Sequence, residues 1–330
     1  MSTSAGQDSA TSHGNMQITP LPWQEGHWLE LDRLISISRT PHALMLVGPE
    51  EIGKLRFARA LARRLLCTEP RDTVACGRCK QCQLSLTGNH PDIFNLCPEE
   101  PGKAIKVDAV RELAEFAAKT AQQGGWRVAL IYPVEAMNIN AANAFLKTLE
   151  EPGKSTLLIL VCHQPGSVLP TIRSRCRLLT FPMPPRRSAL PWLRTLVGNE
   201  DELAQQLLDQ AGGRPLRALR FHESDLDQKF RQFTTIIADL ENGAQSAIAV
   251  ARQMQGLPET EALEWLQQHV YRAIYNRAGR DISGTRLAFL FLDRLTNTRR
   301  LMLSTANPNR QFLWEELLLD WRAVLDTDRA

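Results

Sequence analysis

The chain has 330 residues, about twice the usual length of one domain, so two or three domains are expected. With 43% apolar and 23% charged residues it can bury a sizeable core, which excludes collagen-like, low-complexity and wholly disordered classes. A balance of 39 basic against 36 acidic residues gives a formal charge of +3, which excludes the strongly basic signature of a protein that grips nucleic acid unaided.

Residues 1–20 hold no Lys or Arg and no apolar segment, so they read as a disordered tail and lack both parts of a secretory signal. The apolar run over 43–47 predicts a buried strand, punctuated by Gly48-Pro49. From Lys54 the period changes: Ala58, Leu61, Ala62, Leu65 and Leu66 paint one stripe of a helix. Residues 92–96 suit a second strand. Val110, Leu113, Ala114, Ala117 and Ala121 predict a second helix, stopped by Gly124-Gly125. Residues 127–132 form a third strand. Asn138 or Asn140 caps the next helix, which carries Ala141, Phe145, Leu146 and Leu149 on one face and breaks at Pro152-Gly153. Residues 156–161 are another buried strand.

Strands alternating with helices predict an α/β domain with a mostly parallel sheet covered on both faces. After Phe181, Pro182, Pro184, Pro185 and Arg186-Arg187 mark a boundary, and no convincing strand follows. Short helices surround Gly212-Gly213 and long amphipathic helices begin near residue 225, as in the spacing of Leu287, Leu290, Phe291 and Leu295. The expected division is a tail (1–20), an α/β domain (21–183), a small helical domain (184–224) and a larger helical domain (225–330). The longest aliphatic run, over 157–161, is far too short to cross a bilayer, so no membrane helix is expected.

Gly48-Pro-Glu-Glu-Ile-Gly53-Lys54 fits GxxxxGK between a strand and a helix, the context that makes the string a phosphate-loop hypothesis. Gly48 and Gly53 would let backbone amides face a phosphate, with Lys54 beside it. The following residue should be Ser or Thr to bind magnesium, but it is Leu55, and Glu50 and Glu51 place like charges where polyphosphate would lie. The strand over 128–131 runs into Tyr132-Pro133 where Asp and Glu would hold metal and align water. Glu135 follows two residues too late to replace them. A degenerate loop is expected, with neither ATP nor magnesium used by this chain and no intrinsic ATPase.

Seven cysteines, an odd number without a signal, suit a reducing cytoplasm. Cys67, Cys76, Cys79 and Cys82 follow C-x8-C-x2-C-x2-C, with loop-like residues between them, and predict a four-thiolate zinc module over 67–82. All four positions would be protein ligands, leaving none for a reacting water, so the zinc is structural. Cys97, Cys162 and Cys176 fit no second cluster and read as packed thiols.

Taken together, Arg39-Thr-Pro-His42-Ala43, the four-cysteine insert, Ile105-Lys-Val-Asp108-Ala-Val-Arg111, Asn143-Ala-Phe-Leu-Lys147-Thr-Leu-Glu-Glu-Pro152 and Ser174-Arg175-Cys176 resemble the bacterial DNA polymerase III clamp-loader subunits of the AAA+ class. The resemblance covers roughly residues 21–330 and implies an AAA+ domain, a lid and a collar. The losses at Leu55 and Tyr132-Pro133 resemble a non-hydrolysing member. The resemblance further implies that Arg175 is an arginine finger offered in trans to a neighbouring ATP site, with Ser174 and Cys176 positioning the loop. Arg173 and Arg177 lie nearby and blur that choice.

Two family features depart from the pattern: Cys162-His163 stands where a polar sensor is usual, and Leu216 where the lid normally carries Arg, in Gly213-Arg-Pro-Leu-Arg217. Phe312, Trp314, Leu317, Leu318 and Trp321, after Thr305-Ala-Asn-Pro-Asn309, resemble the last collar helix. Implied partners are gamma/tau and delta subunits in a heteropentamer and, through that complex, the sliding clamp and primer-template DNA. An active motor of gamma type is the alternative, but it requires Ser or Thr at 55 and acids at 132 and 133. A zinc-dependent DNA-binding module would need a basic surface, and Arg63, Arg64, Arg71, Arg78 and Lys80 are too diffuse to supply one.

Overall fold

The run over 43–47 is apolar throughout because the strand it forms is covered on both faces. In the computed structural model, which describes residues 19–100, 102–123, 125–224, 226–277, 282–302 and 308–327, it becomes β1 (Ala43–Val47). It joins β2 (Ile93–Leu96), β3 (Arg127–Ile131), β4 (Thr156–Cys162) and β5 (Arg177–Thr180). Among the described residues these make one parallel sheet in the order β2-β3-β4-β1-β5, with Leu44 between Ile159 and Arg177 in register.

Side chains alternate between the two faces, which gives the sheet two apolar layers. On one face Leu44, Leu46, Leu130, Ile159 and Val161 pack with Trp28 and Leu31 of α1 (Glu25–Ser36) and Phe57 and Leu61 of α2 (Lys54–Leu66). On the other, Met45, Ala129, Ile131, Leu158 and Leu160 meet Val110 and Leu113 of α4 (Val107–Ala118) and Phe145 and Leu149 of α5 (Ile139–Glu150). Between α2 and β2 the cysteine insert carries α3 (Lys80–Leu86). Asn138 is the cap of α5, its side chain accepting the Ala141 amide at 2.8 Å.

The second predicted helix ends earlier than its stripe implied, at Ala118, and Ala121 lies outside it. The cause is a buried pair beneath the turn. Arg127, 2% exposed, donates to the Phe116 carbonyl, and fully buried Asp92 accepts the Gln122 and Gln123 amides at 2.8 and 2.9 Å. Those contacts take the backbone groups that another helical turn would need. The sheet also contains β5 and the domain contains α1, neither of which periodicity predicted. The tail residues 1–18, Gly124 and the 305–307 part of the C-terminal motif lie outside the described residues.

The described chain divides into two compact units, one of residues up to 205 together with 213–217, the other of 206–212 and 218 onward. The first also holds α6 (Pro170–Arg173) and α7 (Arg186–Arg194). Two further helices, α8 (Asp201–Gln210) and α9 (Pro215–Glu223), run across the points where the chain passes between units. The second unit holds α10 (Leu226–Glu241), α11 (Ala247–Met254), α12 (Glu259–Arg277), α13 (Ile282–Met302) and α14 (Arg310–Thr327), around buried Trp265, Trp314 and Trp321. Glu241 sits 2.7 Å from the His269 ring nitrogen and accepts the Trp321 indole N–H at 3.0 Å, which satisfies polar groups of that core. No described helix is long and apolar enough to cross a membrane.

Candidate phosphate loop, cysteine cluster and arginine site

The loop over 48–53 leaves β1 and enters α2, as a phosphate cradle should. Gly48 and Gly53 both have positive φ, 155° and 92°. A Cβ on Gly48 would lie 2.1 Å from the Phe181 carbonyl oxygen, and one on Gly53 would lie 2.3 Å from Leu21 Cδ1. Gly48 is therefore required by the chain's own packing, and Gly53 by its left-handed backbone.

Lys54 is turned back into the loop: its Nζ donates to the Gly48 carbonyl at 2.6 Å and to that of Pro49. Burial pulls its pKa down to about 8, against the opposing influence of Glu50 and Glu135. Trp23 Nε1 donates to the Ile52 carbonyl at 2.9 Å, and Gln24 Nε2 to the Gly53 carbonyl at 2.9 Å. From the other side the Leu216 amide donates to the Glu51 carbonyl at 3.2 Å, and fully buried Arg217 brings Nε to 3.9 Å from the Glu51 carboxylate. The carbonyls of Gly48, Pro49, Glu51, Ile52 and Gly53 are thus all held by donors of this chain.

Leu55 occupies the position of the magnesium-binding hydroxyl, and Tyr132-Pro133 that of the metal-holding acids. The nearby carboxylate, Glu135, has a different use: its Oε1 accepts the His163 and Gln164 amides at 2.8 and 3.1 Å, closing the end of β4. Burial, reinforced by the Lys54 charge, depresses the His163 pKa to about 4, and burial beside Glu135 raises the Cys162 thiol to about 12. A neutral imidazole and a protonated thiol therefore stand at the end of β4.

Cys67, Cys76, Cys79 and Cys82 converge, with their sulfur atoms all within 4.8 Å of one another. The Cys67–Cys79 and Cys76–Cys82 Sγ distances are both 3.9 Å. A tetrahedron with metal–sulfur bonds of about 2.3 Å has edges of about 3.8 Å, so the spacing fits a four-coordinate ion such as zinc. The Cys76 and Cys79 amides donate to the sulfurs of Cys67 and Cys76 at 3.3 Å each, which orients those ligands. Burial raises the Cys79 thiol, but hydrogen bonds to Thr68 and to the Cys82 backbone overcome it and bring its pKa to about 6. Cys162 is buried away from this cluster, Cys97 is exposed and Cys176 is partly buried.

Ser174, Arg175 and Cys176 form the bend between α6 and β5. Ile172, 1% exposed, anchors one end of it, and Cys176 packs at the other against the apolar layer that holds Met45 and Phe145. Ser174 Oγ donates to the Thr171 carbonyl at 3.1 Å. Arg175 Nε donates to Glu150 Oε1 at 2.9 Å, Nη2 lies 2.5 Å from the same oxygen, and Nη1 donates to the Thr171 carbonyl at 3.0 Å. Its neighbours have other partners: Arg173 donates to the Pro165 carbonyl at 3.1 Å, and Arg177 pairs with Glu30.

Sequence reasoning missed Trp23, Gln24, Glu150 and Arg217. Trp23 and Gln24 lie in a 3-10 turn too short for any periodic signal, and Arg217 stands one position beyond Leu216, where the resemblance places the lid arginine.

The sequence matches the protein family described as "DNA polymerase III, delta subunit" over residues 23–185. It is 37% identical to DNA polymerase III subunit delta' of Pseudomonas aeruginosa, over 92% of this chain and 97% of that one. It is 30% identical to the Escherichia coli K12 protein of the same name, over 90% of this chain and 94% of that one. A DNA polymerase III gamma subunit-related protein from Thermotoga maritima shares the fold, with a TM-score of 0.51 and 17% identity over 90% of this chain and 99% of that one. A parallel sheet of the AAA+ type and identity along nearly the whole length agree, and the chain belongs to the DNA polymerase III subunit delta' family.

Proposed function

We propose that this chain is the non-hydrolysing subunit of a DNA polymerase III clamp loader, and that it assists ATP-driven loading of a sliding clamp onto primed DNA. The observation that carries this reading is Leu55 and Tyr132-Pro133 at the metal-binding positions, with Lys54 turned back onto the Gly48 and Pro49 carbonyls, in a chain of the delta' family. Without the hydroxyl and the acids that hold metal and align water, the loop supports a scaffold over a motor.

In this reading the partners are gamma/tau and delta subunits in a heteropentamer, with the clamp and primer-template DNA engaged through the complex in the cytoplasm. The three-part division into α/β (21–183), lid (184–224) and collar (225–330) belongs to the same proposal. The cysteine cluster holds one structural zinc, which clips the insert to the sheet domain. Arg175 is offered in trans to the ATP site of an adjacent motor, where a guanidinium stabilises charge on the transferring phosphoryl group. Its support is its exposed position on a bend anchored by Ile172 and Cys176.

The test is reconstitution with gamma/tau and delta, followed by DNA-stimulated ATPase and clamp-loading assays. Arg175→Ala is expected to silence one motor site, leaving partial ATPase at unchanged composition, and Arg175→Lys should not restore it because Lys lacks the planar fork. Failure to assemble with these subunits overturns the scaffold role, whereas full activity with Arg175→Ala overturns only the trans role.

A further inference from the structure

We propose that Glu150 is a positioning residue for Arg175, holding one edge of the guanidinium so that its remaining N–H groups are presented as an oriented fork to phosphoryl oxygen. This rests on the trans-acting reading of Arg175 given above. The contacts assign the edges. Glu150 Oε1 takes Nε–H and one Nη2–H, and the Thr171 carbonyl takes one Nη1–H. Arg has five N–H donors, so one on each Nη is left by these contacts for a ligand.

Both partners stand on fixed backbone. Leu149, 1% exposed, seats the end of α5 beside Glu150, and Ile172 and Cys176 seat the bend around Arg175. Glu150 is the last residue of α5 and is followed by Glu151. Carboxylates at a helix C-terminus oppose the negative end of the helix dipole, an unfavourable placement that the Arg175 guanidinium offsets. The Arg175 side chain is 37% exposed and that of Glu150 50%, so the pair contributes little to folding. Its effect is on direction: a long side chain on an exposed bend samples several rotamers, and an oriented one does not have to be ordered when substrate arrives.

The experiment measures DNA-stimulated ATPase in complexes reconstituted with Glu150→Ala, Glu150→Gln, Arg175→Ala and the Glu150→Ala/Arg175→Ala pair. The reference is the part of kcat that Arg175→Ala removes. Glu150→Ala is expected to remove at least half of that part with KM for ATP little changed. Glu150→Gln, which keeps an accepting oxygen, should retain more activity than Glu150→Ala. The double variant should match Arg175→Ala alone. In the free chain, the Arg175 Nε–H resonance should exchange faster with solvent after Glu150→Ala, at an unchanged thermal midpoint. If Arg175→Ala lowers kcat and Glu150→Ala does not, the positioning role is overturned and the trans role stands. A double variant clearly below Arg175→Ala alone also overturns it, because Glu150 would then act by another route. If Arg175→Ala itself has no effect, both readings fall.

Discussion

The Lys54 ammonium donates to the carbonyl oxygen of Gly48, 2.6 Å away, so the cation of the phosphate loop is satisfied within the loop. In a working cradle that charge faces the β- and γ-phosphates. Here a nucleotide would have to displace it from two carbonyls as well as enter a site without a magnesium ligand. The purified chain is therefore expected to show no magnesium-dependent ATP hydrolysis, measured as phosphate release. Leu55→Thr should not create it, because Tyr132-Pro133 still supplies no acid, and Lys54→Ala should leave clamp loading by the reconstituted complex nearly unchanged.

Trp23 holds the Ile52 carbonyl, and Gln24 holds that of Gly53, which also accepts the Phe57 amide. Trp23→Phe removes one hydrogen bond and keeps the ring, and Gln24→Ala removes the cap on buried groups. Each is expected to cost about 1–2 kcal/mol. Denaturant unfolding should report this as a lower midpoint at unchanged slope.

The four sulfur atoms fit one tetrahedral ion, so metal analysis of protein purified without added zinc should give one equivalent per chain. Cys79→Ala should lower that value sharply. Because the sheet has its own two apolar layers, chelation should raise proteolysis near residues 67–82 while most helical signal persists.

Much of this organisation was legible in the sequence, for identifiable reasons. Four of the five strands announced themselves as unbroken apolar runs or short segments between turn residues, because parallel strands covered on both faces need apolar residues at every position. The edge strand β5 did not: Arg177, Leu178 and Thr180 are exposed, so it lacks the two-sided pattern. The cysteine spacing was legible since convergence within one loop is a local property. What links distant segments was not. Nothing near Arg175 in the chain points to Glu150, 25 positions earlier, and nothing near Glu51 points to Arg217. The helix end at Ala118 was misplaced for the same reason, since its stop comes from Asp92 and Arg127 rather than from the helix's own residues.

His163 gives the molecule an acid-sensitive element. Its pKa is about 4 in the folded chain against 6.5 for a free imidazole, so the unfolded state binds more protons between those values. Stability from this group is present above pH 6.5 and is lost as pH falls toward 4, by at most about 1.4 kcal/mol per pH unit. His163→Asn, which cannot titrate, should flatten the fall in unfolding midpoint between pH 6.5 and 4.5. Comparing the two slopes separates His163 from the acid sensitivity of the thiolate cluster.

Gly48 and Gly53 match the phosphate-loop signature, yet what confines them here is the Phe181 carbonyl at the first and a left-handed backbone at the second. Steric exclusion of this kind is indifferent to nucleotide. Substituting alanine at Gly48 would force a Cβ against backbone that cannot yield cheaply, whether or not a phosphate ever visits. The glycines therefore carry two separable constraints, one from any ligand and one from architecture, and the second alone is sufficient to require glycine at both positions. In this chain the two glycines thus report how the loop is built, and what bears on metal and nucleotide lies at Glu50, Glu51, Leu55 and Tyr132-Pro133.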